Sequence, residues 1–102
     1  MIHVIATITL KPGARERWLA EFRKLVPLVR AEKGCIEYGP AVDASTDIAV
    51  QAKTGEDKVV IVEAWTDLAA LKAHLAAPHM AAYRPRVKDF VVDLAVQILE
   101  PV

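Results

Sequence analysis

The sequence predicts one α+β domain of the ferredoxin-like, split β-α-β kind, spanning residues 1–102. Three observations predict it. The hydrophobic period alternates between two and about 3.6 residues in the order β-α-β, connection, β-α-β. A chain of 102 residues is too short for two independent cores. Apolar residues make up 54% of it, a generous share for so small a body, which points to a subunit interface or a ligand cavity.

Residues 2–10, IHVIATITL, alternate strictly and are rich in β-branched types, so they form a strand, broken by Lys11-Pro12-Gly13. From Ala14, Trp18, Phe22, Leu25 and Val29 recur at helical spacing among Arg, Glu and Lys, giving an amphipathic helix of about five turns. Pro27 should kink that helix, and Gly34 is its expected C-terminal cap. Residues 35–42 form a second strand, with Gly39-Pro40 marking a bulge or an edge. Residues 43–57 are a polar, turn-rich connection with a short apolar patch at Ile48–Val50 that could make a small extra strand. Residues 58–66, KVVIVEAWT, are the best strand in the chain. Thr66-Asp67 caps a helix through Leu68, Leu71, His74 and Leu75, which Pro78 ends or bends. A second short helical stretch runs from Met80 to about Lys88, limited by Pro85, and residues 90–100 close the sheet.

The third and fourth strands are apolar on both faces, yet two helices cover only one face of a four-stranded sheet. The economical cover for the other face is a second copy under two-fold symmetry, so a homodimer is expected. Thirteen basic residues balance thirteen acidic ones, and no basic run is interleaved with aromatics, which excludes a nucleic-acid footprint. Cys35 is the only cysteine, no stretch approaches the roughly 20 apolar residues of a membrane span, and no leader pattern opens the chain. A cytoplasmic protein with no membrane partner is the expectation.

The segments IATITLKPGARERWLAEFRKL, AEKGCIEY, VEAW, HL, PHM and the closing LEP, in that order, resemble the antibiotic biosynthesis monooxygenase domain, and within it the small quinol-monooxygenase-like proteins. The resemblance implies a dimeric α+β barrel with a cavity between sheet and helices in each subunit. It also implies a monooxygenase without cofactor, taking O2 and a small phenolic or quinol-type aromatic. The connection 43–57 is longer than the family's usual one and could reshape the pocket mouth or the dimer contact. Relatives that degrade haem use an Asn on the first strand; this chain has Thr7 and Thr9 there and no Asn anywhere. A small-carbonyl isomerase, or a dimeric binding module without turnover, is the alternative on the same fold.

Oxygenation without a metal or flavin draws its electrons from the substrate, so the site needs a base, hydrogen-bond donors and a dry pocket. His74, on the border of the apolar stripe of its helix, is the base candidate; the plainer reading is a boundary histidine bonded to solvent. Trp65, at the end of the third strand, either walls the pocket and offers its N–H or packs in the core. Glu63 shares its strand face and either orients a histidine or pairs with Arg84 or Arg86. His79 caps a helix or faces the pocket. Tyr38 and Tyr83 are candidate hydroxyl donors, and Met80, Trp18 and Phe22 are candidate cavity or core lining. His3 reads as structural, and Cys35 lacks an activating neighbour. No metal is expected, because His74 and His79 stand five apart with Pro78 between them, whereas a helical pair of ligands wants i,i+4 spacing.

Overall fold

A computed structural model describes residues 1–102. The order is β1 (Ile2–Leu10), α1 (Arg15–Arg30), β2 (Cys35–Ala41), β3 (Lys58–Trp65), α2 (Leu68–Leu75), α3 (Pro78–Val87), a short 3-10 turn (Lys88–Phe90) and β4 (Val91–Leu99). The strands form one sheet in the order β2-β3-β1-β4, antiparallel throughout, which is the split β-α-β arrangement. Strict alternation in β1 sends Ile2, Val4, Ala6, Ile8 and Leu10 into the core and leaves His3, Ile5, Thr7 and Thr9 half-buried on the far face. Trp18, Leu19, Phe22, Leu25, Val26 and Val29 of α1 join the first set in a single apolar cluster, so the helices lie on that face. No helix is long and apolar enough to cross a membrane.

The far face has no cover within the chain. It carries Ile5, Val60 and Val62, and the register adds Ala95, Gln97 and Leu99 of β4 beside Thr7, Ile5 and His3. β4 is an edge strand, and even on the helix side Leu94 (55%), Val96 (50%) and Ile98 (52%) are half exposed.

Several local expectations are corrected. α1 stops at Arg30, with Ala31 still in the right-handed region, so Gly34 is not its cap. Gly34 (φ +84°) instead turns the chain into β2, and its carbonyl accepts from the Thr66 N–H at 2.9 Å. The bulge of β2 lies between Cys35 and Glu37 rather than at Gly39-Pro40, although the edge position expected of that pair holds. Residues 43–57 contain no strand; Ile48 and Val50 are exposed. That connection is tied by the Asp43 carboxylate, which accepts from the Thr54 N–H, the Thr54 hydroxyl and the Gly55 N–H at 2.9–3.0 Å. Those donors, led by the Gly55 amide, hold the Asp43 carboxyl below its ordinary range. Asp67 caps α2 as expected, its carboxylate accepting from the Ala70 N–H at 2.8 Å. Pro78 both closes the break after α2 and opens α3 at the first-turn position where a missing N–H costs nothing. α3 therefore starts two residues before the expected Met80 and passes through Pro85, and Phe90 belongs to the 3-10 turn, not to β4.

A Cβ at position 34 would stand 2.6 Å from the Ala70 Cβ and 2.7 Å from the Thr66 Oγ1, on a backbone conformation that side chains disfavour. Gly34→Ala is expected to cost about 2–4 kcal/mol in a urea titration. A loss below about 0.5 kcal/mol, the range of ordinary surface changes, would show that this turn does not constrain the fold.

Candidate active site

The register leaves a hollow between sheet and helices. Ala6, the smallest inward residue of β1, stands between Ile61 of β3 and Val96 of β4. Over this low point lies a cavity of about 410 Å³, lined by 17 residues of which 13 are hydrophobic, a size that suits a small aromatic ligand. Trp18 and Phe22 of α1, Met80, Tyr83 and Val87 of α3, and Leu94 of β4 form much of its wall. The polar groups on the lining are few: Tyr38, Glu63, His74, Tyr83, Arg84 and Lys88.

His74 is buried, with 2% of its surface exposed, so it is not the solvent-bonded boundary residue of the plainer reading. Its ring stacks at a tilt on Trp65 (centroids 4.7 Å, 32°) and meets Tyr38 edge-on (5.4 Å, 64°). Its Nδ1 lies 2.9 Å from the Glu32 Oε2, and the same oxygen lies 2.8 Å from the Nε2 of His79. An ionised carboxylate only accepts, so the hydrogen-bond network assigns the protons to His74 Nδ1 and His79 Nε2. No protein group bonds the His74 Nε2. That nitrogen is left as a lone-pair acceptor on a residue of the cavity wall.

Glu63 and Trp65 form a second buried unit. The Trp65 indole N–H donates to the Glu63 Oε1 at 2.9 Å, so this N–H is already engaged and Trp65 does not line the cavity. Glu63 pairs with neither arginine: Arg84 donates to the Leu75 carbonyl at 2.9 Å, and Arg86 faces Glu21 at 3.4 Å. Burial pushes the Glu63 carboxyl up, while the Trp65 N–H, and then His74 whenever it is charged, pull it partly back. Burial, with the Glu63 charge next, drives the Tyr38 phenol far above its ordinary value, and burial does the same to Tyr83. Both hydroxyls therefore stay protonated and able to donate. Burial, followed by Glu32 and Glu63, also raises the Cys35 thiol, which disfavours its thiolate form.

Of the residues singled out in the sequence, the structure sets Tyr38, Glu63, His74, Met80 and Tyr83 on the cavity lining. Trp65 and His79 lie behind it, on Glu63 and Glu32 respectively. Two residues carry more than the sequence showed. Glu32 follows the end of α1, where a carboxylate resembles any solvated charge, and although it lies in the AEKGCIEY segment nothing singled it out. Trp18 sits on the apolar stripe of α1 like any core residue, yet its Nε1 is buried without a hydrogen-bond partner. That N–H is near enough to the Tyr83 hydroxyl to favour its ionisation but makes no well-formed bond with it.

The family model described as antibiotic biosynthesis monooxygenase matches residues 1–86. The chain belongs to the antibiotic biosynthesis monooxygenase family. It is 41% identical to the "Probable quinol monooxygenase YgiN" of Escherichia coli K12, across 99% of this chain and 98% of that one. A solved structure described as an antibiotic biosynthesis monooxygenase superposes with TM-score 0.80 at 30% identity, covering 100% and 99% of the two chains. PA3566 of Pseudomonas aeruginosa superposes with TM-score 0.80 at 28% identity, covering 99% and 93%. Membership in this family supports an activity of the monooxygenase type.

Because burial raises the Glu63 pKa, the folded chain binds a proton there more readily than the unfolded one. The resulting penalty is absent below the unfolded value of 4.5, grows as pH rises, and is complete above the raised folded value. Trp65→Phe removes the donor that favours the charged form. The expected loss in chemical denaturation is about 1–3 kcal/mol at pH 8 and clearly less at pH 4.5. Equal losses at both would show that packing, not the N–H to Glu63, explains Trp65.

Proposed function

We propose that this family member is a cofactor-independent monooxygenase of a small phenolic or quinol-type aromatic, with His74 as the base. The observation that carries the reading is the Glu32–His74 contact at 2.9 Å, which leaves the His74 Nε2 as a free acceptor beside an apolar cavity. The base, its orienting carboxylate and a dry chamber are the parts such a reaction needs.

In this reading the ligand hydroxyl gives its proton to the His74 Nε2, and Glu32 stabilises the imidazolium through Nδ1. The aromatic oxyanion, now electron-rich, passes electrons to O2, and a ring carbon forms a C–O bond to it. The proton held by His74 completes a hydroperoxide. Loss of water from that group leaves one oxygen atom on the ring as a carbonyl and the other in the water. The ring supplies all four electrons, so no outside reductant is consumed. Protonated Tyr38 and Tyr83 are the available donors to the developing oxyanion. The unengaged indole N–H of Trp18, another residue of the cavity wall, is a third.

The working unit in this proposal is a homodimer in the cytoplasm. The support is the apolar far face of the sheet together with β4, whose Leu94, Val96 and Ile98 stay half exposed although two of them line the cavity. A second copy over this region would cover both.

His74→Ala is expected to lower oxygen uptake with a panel of quinols by about 100-fold or more, with the assembly unchanged by light scattering. Uptake by the wild type should survive exhaustive chelation of metals. Unchanged rates in the variant would remove His74 from the mechanism. Ligand binding by the wild type without any oxygen uptake would favour the binding-module reading. Scattering at one chain mass, persisting at high concentration, would contradict the dimer.

A further inference from the structure

Residues five apart on one helix point in different directions, but His74 and His79 are not on one helix. α2 ends at Leu75, and α3 begins anew at Pro78. The break brings the second imidazole back toward the first, so that both present ring nitrogens to one Glu32 oxygen. The three donor atoms lie within 4.8 Å of one another.

From this convergence we infer that Glu32, His74 and His79 form a binding site for a divalent transition cation of the zinc type, and that its occupancy switches the cavity off. Four observations argue for it. The set of two imidazoles and one carboxylate is a standard N2O complement for such ions. No lysine or arginine pairs with Glu32, so its charge is met only by imidazole N–H groups. The second carboxylate oxygen, Oε1, takes no hydrogen bond and is free to complete a bidentate contact. Glu32 and His79 keep 14% and 23% of their side-chain surface exposed, which gives an ion an entry path that the buried His74 alone lacks. Tetrahedral ligands at about 2.0–2.1 Å from a metal stand about 3.3 Å apart. Each nitrogen–oxygen pair at 2.8–2.9 Å therefore needs to open by about half an ångström.

The consequence for the cavity follows from tautomer chemistry. A cation on the His74 Nδ1 takes that lone pair, and the proton formerly there moves through solvent to Nε2. No proton is gained or lost by the ring, but Nε2 changes from acceptor to donor. A donor cannot take the hydroxyl proton of a ligand. This second half rests on the reading of His74 as the base; the binding half does not.

The test has two independent arms. Metal-free protein is titrated with Co2+ under anaerobic conditions, read by calorimetry and by visible d–d absorption, with no substrate present. One Co2+ per chain is expected, weakened about 100-fold or more in His79→Ala and in Glu32→Gln. Circular dichroism of each variant verifies its fold, and His79→Ala serves if Glu32→Gln unfolds. No binding to the wild type, or binding that persists in both variants, overturns the site. In the second arm Zn2+ at saturating concentration is expected to suppress oxygen uptake at least 10-fold, with recovery on chelation. Full uptake by zinc-loaded protein overturns the switch. Absence of uptake by metal-free protein sinks the oxygenase proposal instead and leaves the binding arm standing.

Discussion

One carboxylate between two imidazoles ties together three segments of the chain behind the cavity. Glu32 sits in the turn after α1, His74 near the end of α2, and His79 in the first turn of α3, so three segments meet at one oxygen atom. The contact assigns the proton to the Nδ1 of His74 and leaves its Nε2 with a lone pair. Around it the packing leaves His74 little freedom: Trp65 lies against its ring, Tyr38 meets its edge, and Trp65 is held in turn by its hydrogen bond to Glu63. Orientation by a hydrogen bond and confinement by aromatic walls together hold the imidazole in one pose, which is what the proposed role as base requires.

The fold creates this arrangement by uneven filling. Large aromatics from α1, β2 and α3 meet over a small residue, Ala6, and cannot close the space above it. A core of this size usually packs without such a void, and an unfilled apolar volume forfeits contact energy. The same chain leaves apolar surface along β4 and across the far face of the sheet, which the helices on the opposite face cannot reach. Hollow interior and uncovered edge adjoin, since Leu94 and Val96 belong to both.

The architecture was legible because period-two and period-3.6 patterns are local. All four strands and the helices fall close to where alternation, caps and prolines set them. The misjudged details were those decided by tertiary contact. Gly34 looks like a helix cap but is needed where the turn passes under Ala70 and Thr66. The apolar Ile48 and Val50 found no strand to pair with, and the connection was held by Asp43 instead. In the site, His74 could be picked out from its place on the apolar border of α2, whereas Glu32 could not: a surface-like carboxylate acquires its role only when α2 and α3 fold over it. The Trp residues exchange places for a similar reason. Which indole N–H is engaged depends on the acceptor within reach: Trp65 has Glu63, two residues back on its own strand, while Trp18 has none.

The central claim is that Glu32 holds His74 with its proton on Nδ1 and a bare Nε2. The most direct measurement is long-range proton–nitrogen correlation NMR of 15N-histidine-labelled, metal-free protein at pH 8, with the signals assigned through His74→Gln. A protonated-type shift is expected at Nδ1 and an unprotonated-type shift at Nε2 of His74. A proton on Nε2 in that spectrum, with Nδ1 bare, would contradict it.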